Sequence, residues 1–368
     1  MINTQPNNDI VEDLQPSTKS NIDLAKLLDQ MEILIAQHTV LPKDTSYALA
    51  LWCASTYSIN DFAIFPKLVI TSPEKRCGKS TLLDLLSAIS CKSFVTSNMT
   101  AATIYRLIDQ HQPTLIIDEA DTFIANSTSD MTGIINSGHG RNRAYVTRCD
   151  GDTHQVSRFS TWTPMVLASI GNLQETIMDR SIVVQMRRKK VSESVPQIPI
   201  DLFDQCKQIR EELMKWSIDN SSLIKASSFK PSPLGNDRAV DNWKPLFVLA
   251  DLAGSCWLHD CDTAYQSLTV PDEPELPTLL LGAIREIFKK TTVSKISSAQ
   301  LVEDLTKDKD QPWCEYRNGS SISQSGVANM LKAYGIKPKG IRIGAATPRG
   351  YELKCFTDAF ERYLPPSP

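Results

Sequence analysis

The sequence predicts an α/β fold: a parallel sheet flanked by helices, a helical lid after it, and a second, smaller domain of helices and a wing. Three observations predict this. A β-branched run, Leu68-Val69-Ile70-Thr71, leads through a polar loop into a leucine-rich helix opened by Gly78-Lys79-Ser80-Thr81. A second apolar run, Thr114-Leu115-Ile116-Ile117, stops at two carboxylates, Asp118 and Glu119. Continuous apolar runs of this kind are strands buried on both faces, as in parallel sheets. Third, Val270-Pro271-Asp272-Glu273-Pro274-Glu275-Leu276-Pro277 is a proline- and acid-rich linker, which marks a domain boundary.

Composition agrees with two globular domains. The chain has 368 residues, of which 41% are hydrophobic and 22% charged, the balance of an ordinary folded protein. A net charge of −3 excludes a global basic field, so any nucleic-acid contact must come from local patches. Nine cysteines without a C-x-x-C pair read as reduced thiols of a cytoplasmic protein, against a zinc or disulfide framework. There is no signal peptide and no apolar run long enough to span a bilayer, so no membrane role is expected.

In chain order, residues 1–20 are rich in Asn, Asp, Gln, Ser and Thr and read as a disordered tail. Residues 21–63 form a helical lead-in, with helices over Ile22–Val40 and Lys43–Tyr57. Residues 64–195 carry the sheet: after the first strand and its helix come a short strand at 92–96, a helix at 100–110 and the acid-ended strand. A helix at 129–137 and a β-hairpin around Asp150-Gly151 follow, then strands at 165–169 and 182–186. Residues 196–270 read as the lid, with helices at 200–217 and from 236 to 253 and a polar loop at 221–233. Residues 271–277 are the linker. Residues 278–364 give three helices, over 278–289, 298–306 and 323–334, then strands at 341–343 and 351–356, the pattern of a winged helix.

The strand–loop–helix at 68–89 has the layout of a phosphate-binding P-loop. Its nucleotide-binding candidates are Pro73, Glu74, Lys75, Arg76, Cys77, Gly78, Lys79, Ser80 and Thr81. Backbone N–H groups of the loop would cradle a phosphate at the helix N-terminus. Lys79 would reach the β- and γ-phosphates of ATP, and the Ser80 hydroxyl would bind Mg²⁺. Pro73 stands where the usual pattern has glycine, so the loop entrance is rigid and lacks one donor. Asp118 is the second metal candidate, and Glu119 the general base for the attacking water. Asn172, after the strand at 165–169, is placed to hold that water. Arg180 is an arginine-finger candidate, reaching into a neighbouring subunit's site, with an ion pair to Asp179 as the plainer alternative. Arg238 is a candidate contact to the γ-phosphate, or else a cap on the lid helices through Asp237 or Asp241.

Two places suit DNA. The hairpin carries Arg141, Arg143, Arg148, His154 and Arg158 with Tyr145, a locally basic and aromatic element that would serve equally as a brace at a subunit interface. In the last domain Lys332 and Arg342, with Lys337, Lys339 and Arg349, surround the third helix and the wing.

The chain resembles a family of uncharacterised P-loop domains encoded beside, or fused with, primases and helicases of phages and plasmids, of the AAA+ and superfamily-3 type. The resemblance rests on Ser72-Pro73-Glu74-Lys75-Arg76-Cys77-Gly78-Lys79, Pro113-Thr114-Leu115-Ile116-Ile117-Asp118-Glu119-Ala120-Asp121, Asp179-Arg180-Ser181-Ile182 and Asp241-Asn242-Trp243-Lys244-Pro245-Leu246. Arg349-Gly350-Tyr351 and Arg362-Tyr363-Leu364 also fit, so it spans about residues 40 to 364. The family shares Pro73, which implies a variant cradle and not a dead site. The resemblance implies ATP-dependent work on DNA during replication of a mobile element, in a homo-hexamer, with a primase or replication protein as a further partner. No zinc ribbon or primase region precedes the ATPase segment, so primer synthesis is not expected. The leading expectation is a DNA motor, a helicase or helicase loader. The rivals are a nucleotide-operated regulatory or phage-defence switch, and a DNA-binding initiator with a vestigial ATPase.

Overall fold

The computed structural model describes residues 22–97, 99–125, 129–150, 155–190, 192–234, 237–269, 276–308, 311–316, 320–344 and 346–364. The expected tail at 1–20, most of the linker and His154 lie outside these residues. The chain divides into two compact units, on either side of Val270 and Pro271.

The first unit begins with α1 (Leu24–His38) and α2 (Thr45–Ser55), then β1 (Lys67–Ser72), α3 (Lys79–Ile89), β2 (Ser93–Thr96), α4 (Ala101–His111) and β3 (Thr114–Ile117). Next are α5 (Ala120–Ala125), α6 (Ser129–Ser137), the antiparallel hairpin β4 (Tyr145–Asp150) and β5 (Gln155–Ser160), β6 (Met165–Ile170), α7 (Glu175–Met178) and β7 (Ser181–Gln185). It ends with α8 (Leu202–Gln205), α9 (Lys207–Ala226), α10 (Asp237–Ala253) and α11 (Ser255–Thr269).

Five strands form one parallel sheet in the order β2-β3-β6-β1-β7. Strand side chains alternate between two cores, as the period of two requires. Leu68, Ile70, Ile116, Val166 and Ala168 face the larger core with α1, α2, α3, α10 and α11. Val69, Leu115, Ile117, Met165 and Leu167 face the other with α4 and α6. Helix α2, apolar all round from Ala48 to Ala54, is buried all round.

The edge of the sheet where strands begin is held by a buried polar cluster. Lys67, 1% exposed at the start of β1, donates its amine to the carbonyls of Gly138 at 2.7 Å and Thr163 at 3.4 Å. Burial lowers its pKa to about 7. His139 shares a hydrogen bond with Asn242 Oδ1 at 2.7 Å, which fixes Nε2 as the donor, because the Asn242 amide nitrogen donates to the Asp179 carbonyl at 3.1 Å. Burial, with Lys67, Arg180 and Arg238 nearby, lowers the His139 pKa to about 4 against the opposing Asn242 bond.

Among the elements that differ from expectation, two lie in this unit. The polar stretch from Ser221, expected as loop, continues α9 to Ala226. Ile224 is buried there, and Ser221 and Lys225 both reach Asp61. Between the expected lid helix and the linker, α11 packs against α10 and α2.

The second unit contains α12 (Leu276–Thr291), β8 (Lys295–Ser297), α13 (Ser298–Thr306), α14 (Gln324–Leu331), β9 (Lys339–Gly340), β10 (Arg349–Glu352) and α15 (Thr357–Tyr363). Its strands make an antiparallel sheet in the order β8-β10-β9 over a separate core that includes Leu280, Phe288, Trp313, Tyr351 and Phe356. The strand expected at 341–343 lies instead at 339–340, and the one expected at 351–356 ends at Glu352 in a short helical turn.

A Cβ at Gly138 would sit 2.3 Å from the Thr161 carbonyl oxygen and 3.0 Å from the Lys67 amine. Gly138→Ala should therefore cost about 1–3 kcal/mol in a urea titration, since backbone cannot move aside as a side chain can. His139 and Lys67 both bind a proton more weakly in the fold than in the unfolded chain. Stability should thus be complete above the unfolded values and fall with acid, from pH 10.5 to about 7 through Lys67 and from 6.5 to about 4 through His139. Urea midpoints of His139→Gln should show a shallower loss than the wild type below pH 6.5; an equal loss in both would rule His139 out as the cause.

Candidate functional site

The candidate site lies at the opposite edge, where the parallel strands end. Loops that follow β1, β3 and β6 must meet there, because parallel strands deliver their C-terminal ends to one side. They enclose a pocket of about 380 Å³ lined by residues 75–81, Asp118, Glu119, Asp121, Thr122 and 168–170.

The loop after β1 turns through two left-handed residues, Arg76 (φ 65°) and Gly78 (φ 81°), and Gly78 caps α3. Glycine takes that conformation at no steric cost. Pro73, Glu74, Lys75 and Arg76 are exposed, Cys77 is buried, and Ser80 opens onto solvent at the helix start. The Lys79 amine is held by the Ser72 hydroxyl, which in turn donates to the Glu74 carbonyl at 2.7 Å. Ser72 is 1% exposed. Arg188 reaches Glu74 at 3.6 Å at the mouth of the loop.

Across the pocket, Asp118 and Glu119 follow β3. Asp118 Oδ1 accepts the Glu119 N–H at 2.9 Å, and Glu119 takes a left-handed backbone, φ 54°. A carboxylate in αL at a pocket rim is a strained position that the surrounding fold must enforce. Burial, and then the facing Asp118, raise the pKa of Asp84 on α3. Among the residues that sequence reasoning did not single out are therefore Ser72, Asp84, Asp121 and Ser169. Ser72 and Asp84 carry no local signal, since a serine ending a strand and an acid on a helix are ordinary.

Asn172 follows β6 at the same edge and is exposed, although Ala168, Ser169 and Ile170 are what β6 contributes to the pocket wall. Arg180 and Arg238 are elsewhere. Arg180 immediately precedes β7, and its carbonyl accepts the Lys67 N–H, so it sits at the edge where strands begin. Its guanidinium donates to the Thr176 carbonyl at 2.6 Å. Arg238 pairs with the Asp179 carboxylate beside it. The partner that the structure gives Arg238 is thus Asp179, beside the expected γ-phosphate contact and the expected cap through Asp237 or Asp241. β1 alone, six residues at about 3.3 Å each, separates the two edges.

The DNA candidates are also partly redistributed. Arg141 donates to the Asn60 carbonyl at the base of the hairpin, and Arg148 lies 3.5 Å from Asp130 and 5.5 Å over the Tyr105 ring. Both expected contacts are thus engaged within the chain. Arg143 is exposed, and Arg158 stacks 3.6 Å over exposed Tyr145. In the second unit Lys332 and Arg342 are exposed, whereas α14 itself carries no lysine or arginine. Lys295, Lys339 and Lys354 converge on Glu352 at 3.4, 3.0 and 3.0 Å, and the hydrogen bonds from Lys354 and then Lys339 hold its carboxyl down to about 2. All nine cysteines are free thiols. Among the described residues no helix is long and apolar enough to cross a membrane.

A lysine, a serine hydroxyl and two carboxylates around one pocket suit a polyanion bound together with a hard divalent cation. Ser80 and Asp118 would offer Mg²⁺ two protein oxygens, with substrate phosphates and water left to complete its shell.

Residues 185–363 match a family described as protein of unknown function (DUF3631). A curated protein of Saccharopolyspora erythraea, described as an uncharacterized 28.9 kDa protein in the xis 5′ region, is 30% identical over 137 residues, which are 36% of this chain and 51% of the relative. The chain thus spans about half the length of that curated relative. Among solved structures, the A-form apo structure of the NrS-1 C-terminal region is similar with a TM-score of 0.42 and 10% identity, over 91% of this chain and 77% of that one. A second structure of that region gives a TM-score of 0.41 and 11% identity, over 89% and 75%.

Proposed function

We propose that the chain is a Mg²⁺-dependent ATPase that drives a DNA motor, a helicase or helicase loader, with ATP bound between subunits of a homo-hexamer. The observation that carries this reading is the convergence of Lys79, Ser80, Asp118 and Glu119 on one pocket from strands that are not neighbours. β6 stands between β1 and β3, the arrangement of the additional-strand ATPases with a catalytic glutamate. The xis 5′ region of the curated relative is in keeping with a mobile-element setting.

In this reading the loop 73–81 binds the phosphates and Lys79 leaves Ser72 for the γ-phosphate. Ser80 and Asp118 would hold the metal, which supplies charge neutralisation for the transferred phosphoryl group. Glu119 takes a proton from water as the water oxygen bonds to the γ-phosphorus and the bridging P–O bond breaks. The electron pair of that bond leaves on ADP. Asn172 would orient the water. Arg180, at the far edge of the sheet, would serve the pocket of an adjoining copy.

The DNA arm of the proposal rests on the exposed cations Arg143 and Arg158 of the hairpin, with Lys332 and Arg342. Engagement of Arg141 and Arg148 within the chain favours the second reading, a nucleotide-operated switch with a hairpin that braces an interface.

Glu119→Gln should retain ATP affinity within about threefold and lose turnover by about two decades or more, as removal of a general base does; turnover at the wild-type rate would remove Glu119 from the chemistry. Phosphate release measured with and without single-stranded DNA, beside particle mass and unwinding of a forked duplex, separates the two readings. A motor shows DNA-stimulated turnover and strand displacement from a ring. A switch shows neither and assembles on ATP alone.

A further inference from the structure

Arg238 lies in the first turn of α10 with its guanidinium on the Asp179 carboxylate, and the two side chains remain 41% and 38% exposed. Asp179 is gripped a second time from the same helix, because Asn242 donates to its carbonyl at 3.1 Å and is itself fixed by His139 at 2.7 Å. Arg180 is the next residue along the chain. Arg180, whose guanidinium rests on the Thr176 carbonyl, and Arg238, on the Asp179 carboxylate, thus bring two cations to the turn before β7. Guanidinium forks match phosphate oxygens in pairs, and a carboxylate paired with one is a natural placeholder for such an anion. The pocket of the same copy lies beyond the length of β1, at the edge where strands end.

We propose that Arg238 is a second residue supplied in trans, which with Arg180 forms a two-arginine clamp on the terminal phosphate bound by a neighbouring copy, and that Asp179 is the positioning residue that presents it. The proposal rests on the ATPase reading above. It differs from the expectation for a lid arginine, which would contact the nucleotide of its own copy. In the assembled site the γ-phosphate replaces the Asp179 carboxylate as partner of Arg238, and the clamp acts on charge that grows as the P–O bond to ADP breaks. Asn242 keeps Asp179 in register with Arg180, so both arginines reach the same anion.

Mixing full-length chains tests this. Arg238→Gln keeps a polar stem and an intact pocket of its own, whereas Lys79→Ala has a disabled pocket and intact arginines. Arg238→Gln alone should bind ATP within about threefold of the wild type and lose turnover by about tenfold or more, a kcat effect without a matching KM effect, as for other arginines supplied across an interface. Lys79→Ala alone should be inactive. The equimolar mixture should regain several times the summed activity, because some intact pockets then face intact arginines. The same mixture made with Arg180→Ala provides the reference. Rescue of Arg180→Ala without rescue of Arg238→Gln overturns the role of Arg238 and leaves the ATPase reading intact. Wild-type turnover by Arg238→Gln, or loss of ATP affinity in that variant, also overturns it. An Arg238→Gln chain that fails to assemble and is not rescued overturns it too, as an interface residue only. No turnover by the wild type, with or without DNA, brings down the ATPase reading and this clamp together.

Discussion

The interaction on which the site depends is the parallel pairing of β6 with β1 on one side and β3 on the other. Leu68 to Ser72 register with Val166 to Ile170, and Leu115 to Ile117 with Met165 to Leu167. That double register carries the loop after β1 and the acids after β3 to one edge, although nearly forty residues of chain lie between Lys79 and Asp118. Burial on both faces fixes it, because a slip of one residue would exchange the alternating partners of both cores. Ser169 and Ile170 then close the pocket between the loop and the acids, which neither neighbour could do alone.

Of the six non-glycine residues with a left-handed backbone among the described residues, two border the pocket. Arg76 and Glu119, both at φ above +50° without being glycine, stand on the pocket rim. A left-handed residue with a side chain costs about 1–2 kcal/mol. At Glu119 the cost is offset locally by the bond from its N–H to Asp118 and by α5, where Ala120 and Ile124 are buried. The turn directs the second acid out of the strand line. An unstrained continuation of β3 would send its side chain to alternate faces of the sheet instead.

Much of this was legible in the sequence, and the reason is locality. Strand, loop and helix at 67–89, the acid pair and the hairpin each declare themselves within a few residues through apolar runs, glycine and turn chemistry. Missed features are those decided at long range. Helix α9 runs to Ala226 because Asp61 receives Ser221 and Lys225, a partner that no propensity contains. Strand β8 is three residues long and exists through its pairing with β10. Lys67 carries no signal in the sequence, yet it is buried under the carbonyls of Gly138 and Thr163. Ser72 reads as the end of a strand, yet it is the rest position of Lys79. For Arg238 the sequence offers Asp237 and Asp241 as near acids, and the fold brings up Asp179 from 59 residues away.

The placement of Arg180 follows from the same strand polarity. Residues that precede a strand of a parallel sheet lie a full strand length from residues that follow one. Arg180 precedes β7, whose first residue pairs with Lys67, the first of β1. Lys79 follows the far end of β1. No rotamer of a single arginine crosses that distance, and the strands between are packed on both faces, so they cannot shorten it. Asp179 is held by its side chain to Arg238 and by its carbonyl to Asn242, which prevents the turn before β7 from swinging toward the pocket. An arginine so tied stays at the edge opposite the pocket of its own chain. The polarity of the sheet, and not the rotamer of either arginine, is therefore what keeps Arg180 and Arg238 apart from the loop after β1.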